Sequence, residues 1–287
     1  MTIRVLTVCD ESYAGLARVA LSSIGAWSGR KDASFTVYDL GLRANSAERM
    51  REQGYRLADL VASLPANPWV LDRRFVVMLS IPTAISQEAE RALASGQDDL
   101  IVFFAADMVV NGPGKEQFGA LLTDPSDGVM AVPDPFRFGN ANAWMYVRGD
   151  ASSPKLWRKW FGKDLSEART WNTGLVAGRA SVLAEFCRVW LAWISRWVHD
   201  PAFHDDFRGD CLDQLAFSLV AEASLSDVPI VELPPSMNFT RIYWTLRPDE
   251  IASALALHLT GPIKPWQSGA QLHPMTIRWM ELAEALG

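Results

Sequence analysis

Cysteine is scarce: Cys9, Cys187 and Cys211 are the only three in 287 residues. Three scattered thiols exclude a disulfide framework and the paired spacing of a zinc knuckle, and they fit a reducing compartment. No Lys/Arg-rich block occurs anywhere, and the formal net charge is −6. Nucleic acid and an anionic membrane surface both require a basic footprint, so neither is an expected partner. No apolar run reaches the ~20 residues of a membrane span. The opening "MTIRVLTVCD" enters a strand pattern without a basic leader or an h-region, so a cytoplasmic protein is expected. Internal repeats and low-complexity linkers are also missing. Residues 1–287 are therefore expected to form a single domain, with a compositional shift near residue 111 marking two functional halves, about 1–110 and about 111–287.

Hydrophobic residues make up 49% of the chain, enough for a full core. "IRVLTVC" (3–9) is a β-branched strand stopped by "DESY", and "AGLARVALSSIGAW" continues at helical spacing. "ASFTVYDLGL" (33–42) predicts a second strand, "SAERMREQGYRLADLV" (46–61) a second helix, and "PWVLDRRFVVML" (68–79) a segment holding a third strand. This alternation implies an α/β fold, with a mostly parallel central sheet flanked by helices. In "DDLIVFFAADMVVNG" (98–112), Leu100–Phe104 reads as a strand buried on both faces that stops at two alanines and Asp107. Open α/β sheets bind ligands at the carboxyl ends of their strands, so Asp107 is expected to face that crevice. Strand alternation would put residues 105 and 107 on the same face.

Beyond it, "DGVMAVPDP" (127–135) predicts a strand with a proline stop, followed by an insertion of about 35 residues rich in Trp and Arg. Residues 180–198 form a long amphipathic helix whose Trp190, Trp193 and Trp197 share one stripe and read as core. The insertion's Trp144, Trp157 and Trp160 would suit stacking against a sugar.

Four pieces carry the chemistry in order: "TVCDESYAGLARVALSSI" (7–24), "FFAADMVV" (103–110), "WNTGLVAG" (171–178) with "DQLAF" (213–217), and "HLTGPIKPW" (258–266). The last is the most specific. His258 can ligate a divalent ion, Gly261 admits close backbone approach, and Lys264 supplies a point charge; together these suit a diphosphate. Asp134 alone competes with a reading as a turn residue before Pro135, and Asp213 with Gln214 read nearly as well as caps of the helix "LDQLAFSLVAEA".

Together the four pieces, spanning residues 3–266, resemble the retaining, nucleotide-sugar-dependent glycosyltransferases of family 8, the glycogenin and lipopolysaccharide galactosyltransferase type. The resemblance implies a GT-A (Rossmann-like) fold, a nucleotide-binding first half, and a sugar- and acceptor-binding second half with an acceptor-side insertion at residues 136–170. It implies a UDP-sugar donor, with Tyr13 stacking on uracil and Asp10 and the Thr7 backbone reading its polar edge. Asp134, Asn172, Asp213 and Gln214 would meet the sugar, and Gly261 and Lys264 the diphosphate. Asp107 and His258 would hold Mn²⁺ or Mg²⁺, and the acceptor would offer a hydroxyl. Catalysis would rest on Asp213, Gln214 and Lys264.

Two departures stand out. The family's Asp-x-Asp is Ala105-Ala106-Asp107 here, leaving a thin ligand shell. The helix ahead of that strand lacks the family's basic donor-binding residue, for which Arg73 or Arg74 could substitute. The residues therefore leave open an enzyme of reduced activity, a non-catalytic UDP-sugar-binding scaffold, or an inactivating substitution introduced at position 105.

Overall fold

The computed structural model describes residues 2–28, 33–60, 73–111, 119, 127–140, 146–150, 152–209, 211–223, 227–260 and 273–286. Its centre is a seven-stranded sheet ordered β3-β2-β1-β4-β7-β6-β8, built from β1 (Ile3–Cys9), β2 (Ala33–Asp39), β3 (Arg56–Asp59), β4 (Leu100–Phe104), β6 (Val129–Arg137), β7 (Arg169–Arg179) and β8 (Ile230–Glu232). The first four strands run parallel, and β7 is antiparallel to both β4 and β6. A second sheet joins β5 (Met108–Val110), β10 (Ala256–His258) and β9 (Phe239–Thr240).

Strand β4 is buried on both faces, as its unbroken apolar run requires. Leu100, Val102 and Phe104 enter one core with α1 (Ala14–Ser28) and the second sheet; Ile101 and Phe103 enter the other with the long helices α3 (Arg73–Ala94) and α5 (Ala180–His199). Trp190 and Trp197 are core residues of α5, while Trp193 is half-buried beside them. Cys9 and Cys187 are buried thiols, and Cys211 is half-buried.

The third strand is not where the sequence placed it. Helix α2 (Ala44–Glu52) stops where it does because Gly54 adopts φ 82°, a left-handed conformation that ends helices, and the chain re-enters the sheet as β3. Of the segment expected to hold a strand, residues 68–72 lie outside the described part and the remainder opens α3. Nor do the prolines stop β6. Its parallel partner β8 pairs only with Val129, Met130 and Ala131, so Pro133 and Pro135 lie beyond that ladder and no bond to β8 is lost.

Trp157 is also not a binding platform. It is fully buried, packed against Phe138 and Phe207, and anchors α4 (Pro154–Phe161). Trp160 is half-buried, edge-on to Phe203, with its indole N–H donating to Asp206 at 2.7 Å. Trp144 lies outside the described residues.

One charged cluster ties α3 to the sheet. Fully buried Glu88 accepts from Arg56 Nη2 at 2.7 Å, from the Tyr38 hydroxyl at 3.1 Å, from Arg4 at 3.3 Å, and from Arg91. Burial would push its pKa up, but the guanidiniums of Arg91 and Arg56 outweigh burial and hold it below its ordinary value. A depressed carboxylate pKa contributes stability above the unfolded value, about 4.3, that is lost as pH falls through the folded one. Glu88→Gln should therefore cost about 1–3 kcal/mol at neutral pH. Denaturant midpoints should show that gap closing as pH is lowered below the ordinary carboxylate value of about 4.3, and an unchanged gap would contradict this account.

Candidate functional site

The site assembles where β1 and β4 end. After β1, Asp10 caps a short 3₁₀ turn (Glu11–Tyr13), its Oδ1 accepting the Ser12 backbone N–H at 2.8 Å. This turn presents Ser12 and Tyr13 to a cavity of about 550 Å³. After β4 the chain turns rather than extends: the Met108 N–H donates to the Ala105 carbonyl at 3.0 Å. Residues 105–107 are thus the corner at which the polypeptide leaves the first sheet for the second. Strand alternation does not govern them, although Ala105, Ala106 and Asp107 all line the cavity.

The second sheet then delivers His258. β10 runs antiparallel to β5 with His258 opposite Met108, and the Leu259 N–H donates to the Asp107 carbonyl at 3.1 Å. His258 Nε2 thereby lies 3.2 Å from Asp107 Oδ1. β7 supplies Thr173 and Gly174 to the same wall. The Gly174 backbone is pressed against the imidazole: a Cβ there would stand 2.4 Å from His258 Cε1 and 2.5 Å from Nδ1, so only glycine fits.

Asp213 and Gln214 sit in the first turn of α6 (Leu212–Glu222) and both reach the cavity. Neither is its N-cap, which is Cys211, although the Asp213 carboxylate accepts N–H bonds from its own and the next residue. Thr173 Oγ1 donates to Asp213 Oδ2 at 2.5 Å, and the Tyr146 hydroxyl donates to Gln214 Oε1 at 3.1 Å. Burial pushes the Asp213 pKa up.

Asp134 and Asn172 stand one layer behind the cavity wall, with Asn172 Nδ2 3.4 Å from Asp134 Oδ1. Burial pushes Asp134 up to about 6, against the opposing effect of Asn172 and the His258 charge. A raised carboxylate pKa means that the folded state holds its proton longer than the unfolded one, so stability falls as pH rises from about 3.9 towards that value. Asp134→Asn should therefore be more stable than the parent by on the order of 2 kcal/mol above pH 7, with the advantage vanishing in acid. Thermal melts across pH test this, and a less stable Asn variant at neutral pH would overturn it.

Thr7 is fully buried in mid-β1 and lies off the cavity wall. Gly261 and Lys264 lie outside the described residues, as do the side chains of Arg73 and Arg74. Sequence reasoning missed Asn238, Thr173, Tyr146 and Arg241. Burial lowers the Arg241 pKa while the Asp107 charge raises it, so this guanidinium lies within electrostatic reach of the cavity. Thr173 lies inside the quoted Trp-Asn-Thr-Gly piece, but no period or motif singles out the other three, which acquire their places only through tertiary packing.

Among the described residues, the cavity wall carries three carboxylates, Asp10, Asp107 and Asp213, one histidine, and no lysine or arginine. No group of three or more His, Cys, Asp or Glu side chains placed to hold a metal occurs among them. The pair Asp107–His258 remains. Its 3.2 Å separation is close to that of two neighbouring ligands on an octahedral ion with bonds of about 2.1 Å, so it fits two positions of a site whose other ligands a bound diphosphate and water would complete.

Solved structures share this architecture. A galactosyltransferase, LgtC, crystallised with donor and acceptor sugar analogues, superposes with a TM-score of 0.58 at 17% identity, over 98% of this chain and 95% of that one. The bifunctional glycosyltransferase WbbM gives 0.62 at 16% identity, over 98% of this chain and 49% of that one. The chain has the GT-A fold. A glycosyltransferase, GlyE, from Streptococcus pneumoniae TIGR4 gives 0.53 at 13% identity, over 99% of this chain and 60% of that one. No family model matches the sequence, and no curated protein does. Among the described residues, no helix is long and apolar enough to cross a membrane.

Proposed function

We propose that this chain is a glycosyltransferase of the family 8 type, which moves a sugar from a UDP-sugar to a hydroxyl acceptor with retention of configuration. One observation carries the reading. A single cavity at the strand ends holds an aromatic, Tyr13, the Asp107–His258 pair, and a half-buried carboxylate–amide pair, Asp213 and Gln214. Base, diphosphate and sugar each have a chemically matched group there. The absence of lysine and arginine from the described wall adds a constraint: an anionic diphosphate must bring, or meet, a cation.

Asp107 and His258 would hold Mn²⁺ or Mg²⁺. Such an ion neutralises charge on the departing diphosphate. Lys264, from the following segment, would add a point charge to the same oxygens. Asp213, held by Thr173, would face the positive charge that develops on the sugar, and Gln214, held by Tyr146, would orient its hydroxyls. Retention through front-face attack needs no enzymic nucleophile, because the departing diphosphate oxygen can accept the proton of the incoming hydroxyl.

Calorimetric titration with UDP, ADP and GDP, each with Mn²⁺ or with a chelator, tests the reading. UDP should bind most tightly and only weakly in chelator; equal binding of the three nucleotides would remove the uracil assignment. Lys264→Ala should weaken UDP by about 1.5–3 kcal/mol through loss of a charge-assisted contact.

A further inference from the structure

We infer that Asn238 is a positioning residue for His258, fixing the imidazole proton on Nδ1 so that the Nε2 lone pair faces Asp107. The argument starts from a group with no orientational freedom, the backbone N–H of Gly174. It donates to Asn172 Oδ1 at 2.9 Å, which fixes that oxygen as an acceptor. Asn238 Nδ2 donates to the same oxygen at 2.8 Å, so the amide of Asn238 must present its Oδ1 in the opposite direction. That oxygen lies 2.8 Å from His258 Nδ1. An amide oxygen only accepts, so Nδ1 carries hydrogen.

The opposite tautomer would put a lone pair against Asn238 Oδ1. Rotating the Asn238 amide to relieve that contact would set two oxygens against each other at Asn172, and rotating Asn172 as well would point its NH₂ at the Gly174 N–H and its oxygen at Asp134. Asn238 is fully buried and Asn172 nearly so, so water cannot repair these contacts and each misplaced polar pair carries its full desolvation cost. Asp107, by contrast, borders the cavity, where a solvent molecule or a cation can enter between it and Nε2. The buried end of the ring therefore decides the tautomer and the cavity end accepts the consequence.

The same relay links the two halves of the site. Asn172 touches Asp134 on the sugar side and, through Asn238, holds the ring that faces the diphosphate side. The tautomer stands on these bonds alone. Its use, presenting Nε2 as a ligand beside Asp107, rests on the function proposed above.

Long-range ¹H–¹⁵N correlation of the ¹⁵N-histidine-labelled protein, recorded well above the ordinary imidazole pKa of about 6.5, reads the tautomer directly. His258, assigned through His258→Gln, should show the Nδ1–H pattern in the parent. Asn238→Leu should shift it towards Nε2–H and weaken Mn²⁺ binding in the presence of UDP roughly 10–100-fold, the usual loss when a ligand's orienting partner is removed. Asn238→Asp, which keeps the acceptor towards Nδ1 while losing the donor to Asn172, should retain Nδ1–H. An Nε2–H pattern in the parent, or an unchanged pattern in a folded Asn238→Leu, overturns the inference. If Asn238→Leu does not fold, the parent spectrum and Asn238→Asp decide it. An Nδ1–H parent that binds no Mn²⁺ with or without UDP supports the positioning role and overturns the metal role.

Discussion

Gly174→Ala should cost this protein about 2–4 kcal/mol of stability and, in whatever fraction remains folded, at least tenfold in UDP affinity measured with Mn²⁺. An added Cβ would stand 2.4–2.5 Å from two atoms of His258, and 3.0 Å from Asn172 Oδ1, well inside contact distance. The ring has little room to retreat, with Asn238 bonded to Nδ1 and Asp107 beside Nε2. Either the ring breaks from Asn238, leaving a buried amide oxygen unsatisfied, or β7 moves away from β4 and strains the bond from Ala105 N–H to the Gly174 carbonyl. Gly178→Ala supplies the control. It lies on the same strand, but its Cβ would meet chiefly the Leu183 side chain at 3.2 Å and one carbonyl at 3.3 Å, contacts a small shift relieves. Denaturant unfolding and calorimetry on both variants measure the difference. A folded Gly174→Ala with parental affinity would separate His258 from the binding site.

Ala105→Asp should act in the opposite direction. It would place a second carboxylate on the cavity wall at the corner that carries Asp107. The backbone at that point is held from both sides, by the bond to Gly174 and by the turn to Met108, so the new side chain starts from a fixed position. Metal affinity should rise, and release of UDP from UDP-glucose or UDP-galactose in Mn²⁺ should rise about tenfold to a thousandfold, about 1.4–4 kcal/mol. The gain exceeds simple binding because a better-held ion stabilises the diphosphate more as charge develops on it. If the variant folds and binds UDP and Mn²⁺ more tightly, yet releases no UDP from either donor with or without sugar acceptors, the protein is a nucleotide-sugar-binding scaffold.

The local signals of the chain were enough for its fold class and for several residues that line the cavity. The β-branched run of residues 3–9, the apolar run of 100–104 and the 3.6-residue period of 180–198 are each set by interactions within a few residues, and each forms the element expected. "Asp-Gln" at the head of an apolar helical pattern and "Asn-Thr-Gly" inside a strand pattern were visible for the same reason. Tertiary structure overruled local pattern in three places. Helical spacing through residues 46–61 concealed β3, because the left-handed Gly54 and the free edge of β2 outweigh propensity there. Trp157 looked like a sugar platform and became core, since a loop pattern says nothing about what packs over it. Residues 105–107 looked like strand and became the corner between two sheets.

The site follows the same division. Residue types that can hold a diphosphate or a sugar are legible in sequence because the chemistry restricts them. Their distances are not. Asp107 meets His258 only because β10 pairs with β5 across about 150 residues, and Asn238 reaches that imidazole only because β9 lies parallel to β10, with Thr240 beside His258. Such pairings depend on which strands find one another after the chain collapses, a matter of burial and register summed over the whole sheet that no window of sequence contains.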